Sequence, residues 1–91
     1  MYILECSDDT YYTGSTKDIM IRMIQHESGL GANYTLKRLP VKLVYIEYFE
    51  RVADAFYREK QVQSWSHEKK KSLVERNHKN LREFSKKKFH K

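Results

Sequence analysis

The chain has 91 residues, 40% of them hydrophobic, and a single cysteine, which suits one compact domain with no internal disulfide and without the cysteines of a structural zinc site. The apolar opening Met1-Tyr2-Ile3-Leu4 stops at Glu5, too short for the core of a signal peptide or a membrane span, so the expectation is a soluble, cytoplasmic protein without a membrane partner. The net charge of +6 is uneven: residues 69–91 carry ten Lys or Arg against two Glu, while residues 1–68 carry eight against ten Asp or Glu, so the surplus lies in the C-terminal quarter.

In chain order, Met1 to Cys6 reads as a strand and Tyr11-Tyr12-Thr13 as its hairpin partner, because aromatic and β-branched residues flank the turn-forming run Ser7-Asp8-Asp9-Thr10. Gly14-Ser15-Thr16 ends the strand and Asp18 can cap a helix carrying Ile19, Met20, Met23, Ile24 and Glu27, which Ser28-Gly29 closes. Residues 28–40 read as a loop with a short helical turn near Tyr34 to Lys37. Val41 to Glu50 is apolar on both faces, which predicts a long, central third strand with helices over at least one face of the sheet. Val52 to Gln63 returns to helical spacing, and Ser66 can cap a last helix from His67 to about Arg76. The expected class is α+β, a small sheet flanked by helices in the order β-β-α-loop-β-α-α. The folded unit takes residues 1–80, and residues 81–91, with Lys86-Lys87-Lys88, form a basic tail.

Three features break the pattern of a plain core. Glu59 falls within the apolar stripe of Val52, Ala55, Phe56 and Val62, and a carboxylate there needs a cation, a metal or a solvent-filled cleft. A salt bridge to a neighbouring Lys or Arg is the commoner fate of such a group. Arg22 and His26, four apart, share a helix face beside Ile19 and Met23. They are either ordinary surface residues or a joint grip on a phosphate, for which an arginine fork and a titratable imidazole are suited. Alternation sends Tyr11 and Tyr12 to opposite sides of the sheet, which lets Tyr12 face the same way as Tyr2 on the paired strand. The sequence has no glycine-rich phosphate loop, no Gly-x-Ser-x-Gly elbow and no carboxylate cluster for two-metal chemistry.

Taken together, Tyr2-Ile3-Leu4, Tyr12-Thr13-Gly14-Ser15-Thr16-Lys17-Asp18, Arg22, His26, Ala32-Asn33-Tyr34-Thr35, Pro40-Val41-Lys42-Leu43-Val44 and Arg58-Glu59-Lys60 resemble, in order and spacing, the GIY-YIG nucleases. The likeness is to their small stand-alone members, related to the N-terminal domain of an excinuclease component. The resemblance implies a three-stranded antiparallel sheet flanked by helices and a divalent-metal-dependent endonuclease acting on DNA, of the kind used in repair or recombination. By the same resemblance Tyr2, Tyr12, Arg22, His26 and Glu59 are the catalytic residues. Glu59 holds a single magnesium or manganese ion that keeps most of its water. Tyr12, or His26 through a water, accepts the proton of the attacking water, Arg22 neutralises phosphoryl charge, and Tyr2 orients water or phosphate.

Thr13 stands where the family usually has isoleucine, and Asn77 and Asn80 both follow the glutamate where many members carry an asparagine. Lys17, Arg22, Lys37, Arg38, Lys69, Lys70 and Lys71 are the expected phosphate contacts, with DNA, or RNA, as partner and a further protein for targeting. The alternative is a nucleic-acid-binding module of the same fold with little or no turnover.

Overall fold

The computed structural model describes residues 1–76. Its elements are β1 (Tyr2–Glu5), β2 (Tyr11–Gly14), α1 (Ile19–Glu27), α2 (Asn33–Leu36), β3 (Lys42–Ile46), α3 (Val52–Gln63) and α4 (His67–Arg76). The three strands form one antiparallel sheet in the order β2-β1-β3, so the α+β class and the sheet implied by the resemblance are both present. The tail at 81–91, together with Asn77 and Asn80, lies outside the described residues. Among those residues, no helix is long and apolar enough to cross a membrane.

Alternation along β1 builds two cores. Tyr2, Leu4 and Cys6 face one way and join Val41, with Ile19 and Met23 of α1 packed against them. Met1 and Ile3 face the other way and meet Tyr45, Val62 of α3 and Val74 of α4. Each face of the sheet is thus covered by a different part of the chain. The strand order makes β1 central, with Tyr2, Ile3 and Leu4 all buried, which corrects the expectation that the third strand is central. The apolar run that suggested otherwise ends as strand at Ile46, and Tyr48 and Phe49 leave the sheet as exposed residues of the β3–α3 loop.

Local signals account for the helix ends. Asp18 accepts from the Ile21 amide at 3.1 Å and caps α1, and Gly29 takes the positive φ of 83° that closes it. Ser66 accepts from the Lys69 amide at 3.2 Å and starts α4. The inward face of α1 is narrower than its apolar content suggests, since Ile19 and Met23 pack inward while Met20 and Ile24 are exposed.

Thr13, opposite Ile3 in the sheet, is buried, and its hydroxyl has no hydrogen-bond partner among the described residues. An apolar group of similar shape removes that desolvation cost, so Thr13→Val is expected to raise stability by about 1 kcal/mol. The urea midpoint would report it; an unchanged or lower midpoint means that the hydroxyl is satisfied.

Candidate active site

The register sets Tyr2 opposite Gly14 on one side and Ile46 on the other, so three strand ends converge on the first tyrosine. The Tyr2 hydroxyl lies 2.8 Å from His26 Nε2 and accepts from Arg22 Nε at 3.3 Å. His26 Nδ1 lies 2.9 Å from Thr35 Oγ1, which itself donates to the Ala32 carbonyl at 2.9 Å. Those contacts fix the tautomer. The single hydroxyl proton of Thr35 is spent on Ala32, so His26 Nδ1 carries the hydrogen and Nε2 accepts from Tyr2. A directional relay results, running from Arg22 through Tyr2, His26 and Thr35 to the Ala32 carbonyl, in which each bond polarises the next.

Room for this relay comes from glycine. A Cβ on Gly31 would fall on the His26 ring, and one on Gly14 would stand 2.6 Å from the Tyr2 hydroxyl oxygen and 3.1 Å from Cε2 of Tyr12. The Tyr12 ring completes the cluster, 6.4 Å from Tyr2 and 5.4 Å from His26 between centroids. Burial pushes the Tyr2 phenol up, which keeps it neutral, while its bond to Arg22 pulls the other way. The charge of Arg22 is favoured chiefly by the hydrogen bond to Tyr2, with Tyr12 also contributing, and Gln25 holds Nη1 at 2.9 Å.

His26 is fully buried, and burial, aided by the Arg22 charge, lowers its pKa. The unfolded chain therefore binds a proton below about pH 6.5 that the folded chain refuses. Stability is expected to fall as pH drops from about 6.5 to the depressed value of the folded state, and to be flat with respect to this group above 6.5. Melting temperatures across that range for wild type and His26→Gln provide the check. The wild-type slope exceeds that of the variant, and equal slopes would place the titration elsewhere.

Glu59 enters from the opposite layer. Its Oε1 accepts from Ser15 Oγ at 2.7 Å and its Oε2 from Gln63 Nε2 at 2.8 Å, and Gln63 also donates to the Thr13 carbonyl at 3.1 Å. These bonds tie α3 to the end of β2, and Glu59 is 8% exposed. The salt bridge anticipated from the sequence is present as well, to Lys60 Nζ at 3.4 Å, with the lysine largely exposed. Glu59 is near enough that its charge opposes ionisation of Tyr2. As a test for a divalent ion, the donors present are hard oxygens: one fixed carboxylate with a serine hydroxyl beside it, which suits an ion that keeps most of its water shell. No group of three or more His, Cys, Asp or Glu side chains able to hold a metal occurs among the described residues, so they form neither a zinc cage nor a carboxylate-rich two-metal site.

The structure thus brings Tyr2, Tyr12, Arg22 and His26 into one cluster, with Glu59 at its edge. Lys17 lines a cavity of about 340 Å³ that opens beside Tyr2 and Ser15. Arg38 lies over the Tyr34 ring at 3.7 Å and pairs with Asp8 at 2.9 Å, and Tyr34 is 6.1 Å from Tyr12. Lys37 is exposed at the end of α2. Lys69, Lys70 and Lys71 are not part of the cluster: Lys69 lies over Trp65, which packs on the Ile3 side of the sheet, and Lys71 approaches Glu75 at 4.0 Å. The sequence pattern assigns no role to Gly14, Ser15, Gln25, Thr35 or Gln63. The first, second and fourth stand inside the motif runs; Gln25 and Gln63 carry only the helical spacing to Arg22 and Glu59 as a signal.

The GIY-YIG catalytic domain model matches residues 1–72. The chain is 45% identical over 75 residues to a UPF0213 protein of Haloquadratum walsbyi, covering 82% of this chain and 84% of that one. It is 45% identical over 74 residues to a UPF0213 protein of Staphylococcus saprophyticus, covering 81% and 90%. A third UPF0213 protein, of Natronomonas pharaonis, is 43% identical over 74 residues, covering 81% and 87%. No solved structure matches the chain.

Proposed function

From the membership of this chain in the GIY-YIG catalytic domain family, a nuclease-type domain, we propose that it is a divalent-metal-dependent endonuclease that hydrolyses phosphodiester bonds in DNA. The observation that carries the reading is the convergence of Arg22 and two tyrosines around the buried His26, with the fixed carboxylate of Glu59 beside them.

In this reading the scissile phosphate lies against the Arg22 guanidinium, already oriented by Tyr2 and Gln25. The pre-aimed cation needs no reorganisation as negative charge builds on the phosphoryl oxygens. Tyr12, in its ionised form, takes the proton of the attacking water. His26 is not the base, because it is fully buried and both its nitrogens are engaged; its task is to hold Tyr2 by accepting a hydrogen bond from the phenol. Tyr2 in turn sets the position of Arg22. Glu59, with Ser15 beside it, is the group that would hold magnesium or manganese, and the bound ion supplies charge neutralisation at the leaving oxygen.

Recognition of bases is not built into these residues, so binding is dominated by the backbone charge and falls steeply with salt. The test is a panel of labelled single-stranded, duplex, nicked, flapped and branched DNA, incubated with magnesium or manganese against EDTA. Discrete products that require the ion are expected. Salt-sensitive binding without cleavage of any substrate would replace the nuclease reading with that of a binding module.

A further inference from the structure

The cavity of about 340 Å³ touches the proposed active site only through Tyr2 and Ser15, and the rest of its lining has a different chemistry. Ile19, Ile46, Phe49 and Val52 give it an apolar wall. Phe49 is 39% and Val52 59% exposed, so a large part of that wall faces solvent. A solvated apolar wall next to Tyr2 and Ser15 favours an uncharged, flat ligand group over water.

Charge argues the same way. Glu47 and Glu50 also line the cavity. The Glu47 carboxylate is committed to Tyr45 and to Arg58 at 3.0 Å, while Glu50 is exposed. With Glu47 paired to Arg58, the Lys17 side chain and the Met1 ammonium face the Glu50 carboxylate among the lining residues, so this end has no cluster of cations built to hold a second phosphate. The exposed Glu50 carboxylate is compatible with a base, whose exocyclic amines donate hydrogen bonds. A base still paired and stacked in duplex cannot enter a side cavity, so the occupant must be unpaired.

We propose that this cavity is a subsite for one unpaired nucleobase flanking the scissile phosphate, with Phe49 as its stacking plate and Val52 as its floor. The inference rests on the nuclease reading for the place of the phosphate, and it adds a preference: single-stranded, flapped or branched DNA over continuous duplex. Phe49 is a specificity-determining residue, outside the relay that surrounds the phosphate.

The experiment measures binding of the full chain, in EDTA so that no turnover intervenes, to a duplex and to the same duplex bearing a single-stranded flap with 2-aminopurine at the junction. Wild type is expected to bind the flapped DNA more tightly and to quench the probe. Phe49→Ala should weaken flapped binding about tenfold, on the scale of one base–aromatic stack, and leave duplex binding unchanged. Phe49→Trp should retain the preference. Val52→Glu, at an exposed position, should lose it by placing a hydrated charge in the apolar wall where the base would lie, and this arm stands if Phe49→Ala fails to fold. The proposal is overturned if the folded variants keep both the preference and the quench, or if wild type has neither.

Addition of magnesium separates the two ideas. Selective binding with no cleavage of any DNA sinks the nuclease reading and keeps the subsite. Cleavage of flap and duplex alike, unchanged by Phe49→Ala, keeps the nuclease and sinks the subsite.

Discussion

Arg22→Ala is expected to lower kcat for DNA cleavage by about a hundred- to a thousandfold, the scale of losing one pre-aimed charge at a developing oxyanion. The guanidinium is held on two sides, by the Tyr2 hydroxyl at 3.3 Å and by Gln25 at 2.9 Å, so wild type places the charge before substrate arrives. Binding should suffer far less than turnover, since other cations also contact the backbone. Arg22→Lys tests the geometry separately from the charge. An ammonium cannot donate to Tyr2, to Gln25 and to phosphate as a planar fork does, so most of the loss should remain. Cleavage rates and affinities on one substrate decide it. Full activity of Arg22→Lys would show that only a positive charge is required, and full activity of Arg22→Ala would remove Arg22 from the chemistry.

Gly14→Ala is the second large effect, and it acts without touching any charged group. The new Cβ would stand 2.6 Å from the hydroxyl oxygen and 2.7 Å from Cζ of Tyr2. Tyr2 is 1% exposed and bound at its tip to His26 and Arg22, so the ring can yield only by disturbing those bonds. Relief requires a shift of several tenths of an ångström or more, and displacements approaching an ångström at a reacting centre cost about a hundredfold in rate. Overpacking of this kind also costs about 1–3 kcal/mol of stability. Combined with Tyr2→Phe, the loss of activity should be much less than the product of the two single losses, because both disrupt the same relay. Unaltered melting temperature and rate for Gly14→Ala would show that the strand end gives way easily.

The residues proposed to carry the chemistry are also ones that depart from plain core patterning in the sequence, and the reason is physical. Glu59 is visible because a carboxylate inside an apolar stripe violates helix patterning, and Arg22 and His26 because four-residue spacing joins them on one face. Tyr2 and Tyr12 follow from strand alternation once the hairpin is drawn. Their partners are less legible. Ser15, Gln63 and Thr35 are ordinary polar residues whose roles come from contacts 44, 4 and 9 residues away, respectively, and in the first and last cases no local periodicity encodes the pairing. The place of β3 in the sheet is hard to read for a related reason, and the expectation of a central third strand fails on it. An apolar run can be buried in a core or line a cleft, and patterning alone does not separate the two. Here Tyr45 is buried while Tyr48, Phe49 and Val52 stand exposed at the cavity. The lysines of α4 show the limit of counting charge, since Lys69 lies over Trp65 on the side of the sheet away from Tyr2 and Tyr12.

The measurement that bears most directly on the nuclease reading is single-turnover cleavage of one cleavable DNA by wild type and Glu59→Gln, in magnesium and in EDTA, with binding followed in parallel. Glutamine keeps the size of the side chain and can still bond Ser15, but it removes the charge that an ion requires. The expected result is ion-dependent cleavage by wild type, loss of at least about a hundredfold in the variant, and similar affinity for DNA in both. Cleavage that survives in EDTA, or in Glu59→Gln at the wild-type rate, would contradict a phosphodiesterase built around Glu59 and a divalent ion.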